Sequence, residues 1–131
     1  MKQVKFYELE NGKEPVKEWL LKLDSSTRVK VIKSLERIYD DNFGDYKQIS
    51  PNLYELRFFF GKGYRIYYTI KNDVVVILLQ AGDKSDQKKD IAIAKSYLNN
   101  IKETENDWIK WFYSRTIKRL RFSKRIYERK S

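Results

Sequence analysis

Apolar and polar positions along this chain follow first a helical and then an alternating pattern, and each stretch predicts an element. Val4, Phe6 and Leu9 predict a first strand over residues 3–9, closed by a turn at Asn11-Gly12. Pro15 stands at the favoured first position of a helix, and Val16, Trp19, Leu20 and Leu23 follow at i, i+3, i+4, i+7 as one apolar stripe. Asp24, Ser25 or Ser26 caps a second helix with Val29, Ile32, Leu35, Ile38 and Tyr39 on its buried side. That helix ends near Asp41, because Asn42, Gly44 and Asp45 continue a helix poorly.

From Leu53 the period changes to two. Tyr54, Leu56, Phe58 and Phe60 alternate with Leu53, Glu55, Arg57 and Phe59. Gly61-Lys62-Gly63 predicts a tight hairpin into Tyr64, Ile66, Tyr68 and Ile70, which alternate with Arg65, Tyr67 and Thr69. Asn72-Asp73 marks the next turn, and the apolar run from Val74 onward reads as a central strand covered on both faces. Pairing Phe60 with Tyr64 sets Phe59 opposite Arg65 and Arg57 opposite Tyr67. Arg57, Phe59, Arg65 and Tyr67 then share one face, expected to border a groove. Leu56, Phe58, Ile66 and Tyr68 share the other, expected to pack on the two helices. A third helix over residues 86–102 carries Ile91, Ala94, Leu98 and Ile101 as its stripe. The predicted architecture is α+β: an N-terminal strand, a helical hairpin, an antiparallel three-stranded meander and a C-terminal helix.

Charge changes this picture at the C-terminal end. Residues 103–131 hold nine Lys or Arg against four Asp or Glu, and the 131-residue chain has a formal net charge of +10. The expected organisation is therefore a domain over 1–102 and a basic, aromatic-rich extension over 103–131. Ile109, Phe112, Tyr113, Thr116, Leu120 and Tyr127 lend the extension a helical stripe. It has four readings: a continuation of the third helix, a cap over the groove, a partner-docking surface, or an electrostatic arm. So basic a chain points to partners bearing phosphate. Cysteine and histidine are both absent, which removes disulfides, thiolate metal sites and the usual neutral-pH general base. Neither a metal nor another cofactor is expected. With no apolar leader and no run near the roughly 18 apolar residues of a membrane span, the expected compartment is the cytoplasm.

Arginines within strands are costly unless their face is wet or meets an anion. Arg57 and Arg65 are therefore the first candidates, with Lys84 and Gln87 where the last strand yields to the helix. The competing structural reading gives each arginine an acid such as Glu55 and leaves it solvating an open face. In the same reading Lys84 is a helix-start charge countered by Asp83 and Asp86, Gln87 a surface amide, and Tyr67 a partly buried phenol. Gly61, Gly63 and Gly82 are assigned to turn geometry, and Asp90 to a helix first turn where a carboxylate suits the dipole.

Three blocks carry a resemblance: Glu55-Leu56-Arg57, Gly61-x-Gly63-Tyr64-Arg65-x-Tyr67-Tyr68, and Gly82-Asp83-Lys84-Ser85-x-Gln87-x-x-Asp90-Ile91. In this order and spacing, over residues 3–102, the chain resembles the RelE/ParE toxin superfamily and within it the HigB-like branch. The resemblance implies a cytoplasmic toxin of a type II toxin–antitoxin system that cleaves mRNA in the ribosomal A site. It also implies neutralisation by a cognate antitoxin, often a helix-turn-helix protein. Such cleavage needs charge at the phosphorane and proton transfer at both oxygens. Arg57 and Arg65 suit phosphate clamping, since a planar fork matches two phosphate oxygens. Lys84 is the proton-transfer candidate, because cationic neighbours weaken an ammonium's hold on its proton. Tyr67 is assigned to base stacking or proton donation, Gln87 to reading a base edge and Lys62 to substrate contact. Two alternatives stand beside this: a non-enzymatic ParE-like inhibitor of DNA gyrase, and a basic RNA-binding module without catalysis.

Overall fold

The computed structural model describes residues 1–103. The basic extension therefore lies, but for its first residue, outside the described residues, and so do its helical stripe and its four readings. The elements run β1 Gln3–Phe6, α1 Pro15–Lys22, α2 Ser25–Arg37, β2 Tyr46–Ser50, β3 Leu53–Arg57, β4 Arg65–Lys71, β5 Val75–Gly82 and α3 Gln87–Glu103. Single 3-10 turns at Ile38–Asp40 and Lys84–Asp86 follow α2 and precede α3. This is an α+β fold on a five-stranded sheet ordered β1-β5-β4-β3-β2. β1 lies parallel to β5, and the other pairs are antiparallel.

The expected meander is β3-β4-β5, but the sheet extends one strand further. β2 pairs with β3 through Tyr46↔Leu56 and Lys47↔Glu55, with a register shift between Gln48 and Ser50. β5 is interior rather than central, held between β1 and β4. β1 is shorter than expected, because the chain turns after Phe6 and Leu9 closes a loop with Gly12 and Lys13. Asn72 and Asp73 both take positive φ (53° and 57°), the backbone that a two-residue hairpin turn demands.

Each sheet face buries its own core. On one side α1 and α2 cover Val4, Leu56, Phe58, Ile66, Tyr68, Val76 and Leu78. On the other, α3 lays Ala94, Leu98 and Ile101 over Leu53, Tyr67, Ile77 and Leu79. β5 is apolar throughout because both of its faces are covered.

The α2 stripe is rotated from the expected one. Val31 is buried where Val29 is only half-buried, and Arg28 lies in the interior with no exposure. Its guanidinium reaches the end of α1: Nε donates to Leu20 O at 3.2 Å, and Nη2 to Leu23 O at 2.6 Å and Leu21 O at 3.4 Å. Carbonyls at a helix C-terminus lack intrahelical donors, and a cation there is favoured by the dipole. Arg28 thereby ties the two helices into one hairpin. Asp24 caps α2, and hydrogen bonds from Thr27 and Ser26 hold its carboxyl down to about 2. Among the described residues no helix is long and apolar enough to cross a membrane.

Candidate functional site

The α3 side of the sheet ends in a polar rim where β3 stops, β4 starts and β5 gives way to α3. Arg57 closes β3 and Arg65 opens β4, directly opposite one another. The expected register differs by two residues, which keeps every side chain on its expected face. The hairpin is longer than predicted because Gly61 and Gly63 both take positive φ (60° and 71°) with Lys62 between them. The expected Phe60–Tyr64 pair, which would leave only those three residues in the loop, is not part of the β3–β4 register. Instead Gly63 N–H donates to Phe60 O at 3.3 Å, and Phe58 N–H closes the ladder on Tyr64 O at 2.9 Å.

The junction before α3 docks onto this hairpin. Lys84 N–H donates to Lys62 O at 3.4 Å, and a Cβ on Gly63 would lie 3.5 Å from Lys84 Cβ and 3.7 Å from Arg65 Nη1. Lys62 and Lys84 are both exposed. The two arginines and the lysine from the head of the helix thus share one rim.

The guanidiniums are not free, because each pairs with a carboxylate. Arg57 pairs with Asp45: Nε lies 3.2 Å from Oδ2 and Nη2 donates to Oδ1 at 3.3 Å, with both side chains about one-third exposed. Arg65 is more enclosed, its side chain 13% exposed, and its Nε lies 3.5 Å from Oε2 of Glu55, which is 1% exposed. Its Nη1 donates to Gly63 O at 3.1 Å. Both arginines thus have the acid of the competing structural reading, but only Arg57 also keeps the partly open face of that reading, whereas Arg65 is enclosed.

Two expected substrate contacts occupy other places. Tyr67 is fully buried under α3, so neither face of its ring is open to a base. Desolvation first, then the Glu55 carboxylate, raises its phenol pKa, which makes it a poorer proton donor. Gln87 spends its amide donor on Glu55 Oε2 at 2.8 Å rather than offering it to solvent. Glu55 therefore sits between Gln87 and Arg65, a buried acid that positions both. The signal for it was legible: alternation puts Glu55 on the arginine face.

Asp90, in the first turn of α3 as expected, is also buried. It accepts from Gln80 Nε2 at 3.0 Å, while desolvation raises its carboxyl pKa against that bond. Gly82 serves close approach rather than a turn: it lacks positive φ, but a Cβ there would overlap the Asp90 carboxylate.

Arg65→Ala is expected to cost about 2–3 kcal/mol of stability, because it strips the paired cation from a buried carboxylate. Adding Glu55→Gln recovers part of the loss. Urea unfolding of the two single variants and the double variant checks this, and equal midpoints for wild type and Arg65→Ala would refute it.

A family model described as "Phage derived protein Gp49-like (DUF891)" matches residues 18–104, a span that includes every candidate residue named above. An uncharacterised protein of Haemophilus influenzae is 45% identical over 78 residues, covering 59% of this chain and 79% of that protein.

Proposed function

Because the chain belongs to the phage-derived Gp49-like family, a RelE-like toxin family of toxin–antitoxin systems, we propose that it is a toxin that cuts mRNA on the ribosome and is neutralised by a cognate antitoxin. The HigB-like branch, and a helix-turn-helix antitoxin with it, form part of this proposal on the three sequence blocks that carry that resemblance. One observation carries the nuclease reading: Arg57 and Arg65 are cross-strand neighbours on a rim that Lys62 and Lys84 complete.

In the proposed reaction a ribose 2′ oxygen attacks the adjacent phosphorus and the bond to the 5′ oxygen breaks. The products are a cyclic 2′,3′-phosphate and a 5′ hydroxyl, so one proton leaves the 2′ oxygen and one arrives at the leaving oxygen. Arg57 is assigned the phosphate. Its pair with Asp45 is half-buried rather than sealed in the core, so a dianionic phosphorane can compete for the fork. Arg65, fixed by Glu55 and the Gly63 carbonyl, adds positive charge from behind and holds the rim in shape. Lys84, exposed where the helix begins, is assigned proton transfer, and Lys62 the RNA backbone.

The test is a map of transcript 5′ ends after induction, with plasmid supercoiling followed in parallel. In-frame cuts within translated codons are expected. Intact mRNA with gyrase-linked breaks would move the function to gyrase inhibition, and growth arrest with neither would leave a binding module.

A further inference from the structure

The hairpin between β3 and β4 exposes one aromatic ring that the folded core does not use. Phe58 is buried between the sheet and the two helices. Phe60 packs against Tyr64 (centroids 6.1 Å apart), which itself meets Trp19 edge-on at 5.8 Å, and Lys30 Nζ lies 5.3 Å from the Phe60 centroid. With both neighbours anchored inward, Phe59 is forced outward and is 79% exposed. Arg57 Cζ lies 5.7 Å from its ring centroid. Exposure alone would be ordinary for a single apolar side chain, but here the exposed ring lies beside a guanidinium at the rim of the candidate site.

Resting on the RNA-cleaving reading above, we propose that Phe59, with Arg57 beside it, is a stacking platform for an unpaired nucleobase next to the phosphate that Arg57 holds. Stacking requires an open π face, a rigid support and a nearby cation for the backbone. The phenyl ring, its anchored neighbours and the guanidinium supply all three. The surroundings favour RNA over a protein helix or strand. An amphipathic partner is read by several contiguous apolar anchors, whereas Phe58 and Phe60 are turned into the core and the Phe59 ring lies beside the Arg57 guanidinium. Two consequences follow. The nucleotide beside the scissile phosphate must be single-stranded, and preference for its base is weak because every base offers a π face.

The experiment measures binding of full-length wild type, Phe59→Ala, Phe59→Leu and Phe59→Trp to a short fluorescent single-stranded RNA and to versions carrying one abasic site at each position in turn. Phe59→Ala is expected to weaken binding about tenfold, with Phe59→Trp restoring it and Phe59→Leu not. One abasic position weakens wild type similarly and adds nothing to Phe59→Ala, since both remove the same contact. Unchanged affinity in Phe59→Ala overturns the proposal, as does Phe59→Leu binding like Phe59→Trp, or a wild type that binds no RNA. Loss of antitoxin binding with RNA affinity retained assigns the ring to the protein partner and likewise overturns it. Failure of the nuclease reading has a different signature: wild type cuts no transcripts, while the stacking contact is still judged by RNA affinity.

Discussion

On the proposed function, Arg57→Ala is expected to abolish growth arrest and to lower transcript cleavage by about 10²–10³-fold, the usual consequence of deleting a main charge-stabilising donor at a transition state. The fold survives the change, because Arg57 is one-third exposed and its partner Asp45 is as open to water. Arg57→Lys restores little, since an ammonium cannot span two phosphate oxygens as the planar fork does. Cleavage yield by 5′-end mapping and thermal unfolding by circular dichroism separate the two effects. A variant that melts like wild type and cuts like wild type removes Arg57 from the reaction. The contrast with Arg65→Ala is diagnostic, because that variant loses stability first and activity as a result.

The largest expected loss of stability comes from Arg28→Ala, about 3–5 kcal/mol. The substitution removes donors from three carbonyls at the end of α1 and opens a cavity where a fully buried side chain had been. Whole domains of this size are stable by only about 5–15 kcal/mol, so a substantial unfolded fraction is expected at body temperature. Arg28→Met keeps most of the volume but not the donors, and its shortfall isolates the hydrogen-bond contribution. Urea midpoints measure both. A midpoint for Arg28→Ala close to wild type would show that water replaces the guanidinium without cost.

Periodicity carried most of the architecture, and the misses have physical causes. The stripes of α1 and α3 and the alternation through β3, β4 and β5 are dictated by burial on known faces, so they are legible without coordinates. β2 is not. Tyr46, Lys47 and Gln48 are all exposed on an edge strand, so no apolar alternation marks them. Arg28 sits on the α2 stripe, yet a charged residue there reads as solvent-facing unless the end of another helix is known to lie against it. Alternation puts Tyr67 on the right face and the strand end puts Gln87 at the right junction, but neither gives the depth. The depth comes from α3 and from Glu55, and sequence alternation specifies direction without cover. Glu55 is legible as an acid on the arginine face, but Asp45 is not: it precedes β2, and only the unforeseen strand brings it beside Arg57.

The parallel seam between β1 and β5 has a bearing on biosynthesis. Gln3 finds its partner only at Val75, so the sheet has high contact order and its first strand stays unpaired until the fifth has been made. The Lys84 turn follows that fifth strand directly. On the proposed reading, a nascent toxin emerging from the ribosome has neither its closing seam nor its complete cationic rim. It becomes able to attack translation only once nearly all of this domain has been synthesised, which delays self-poisoning of the ribosome that makes it.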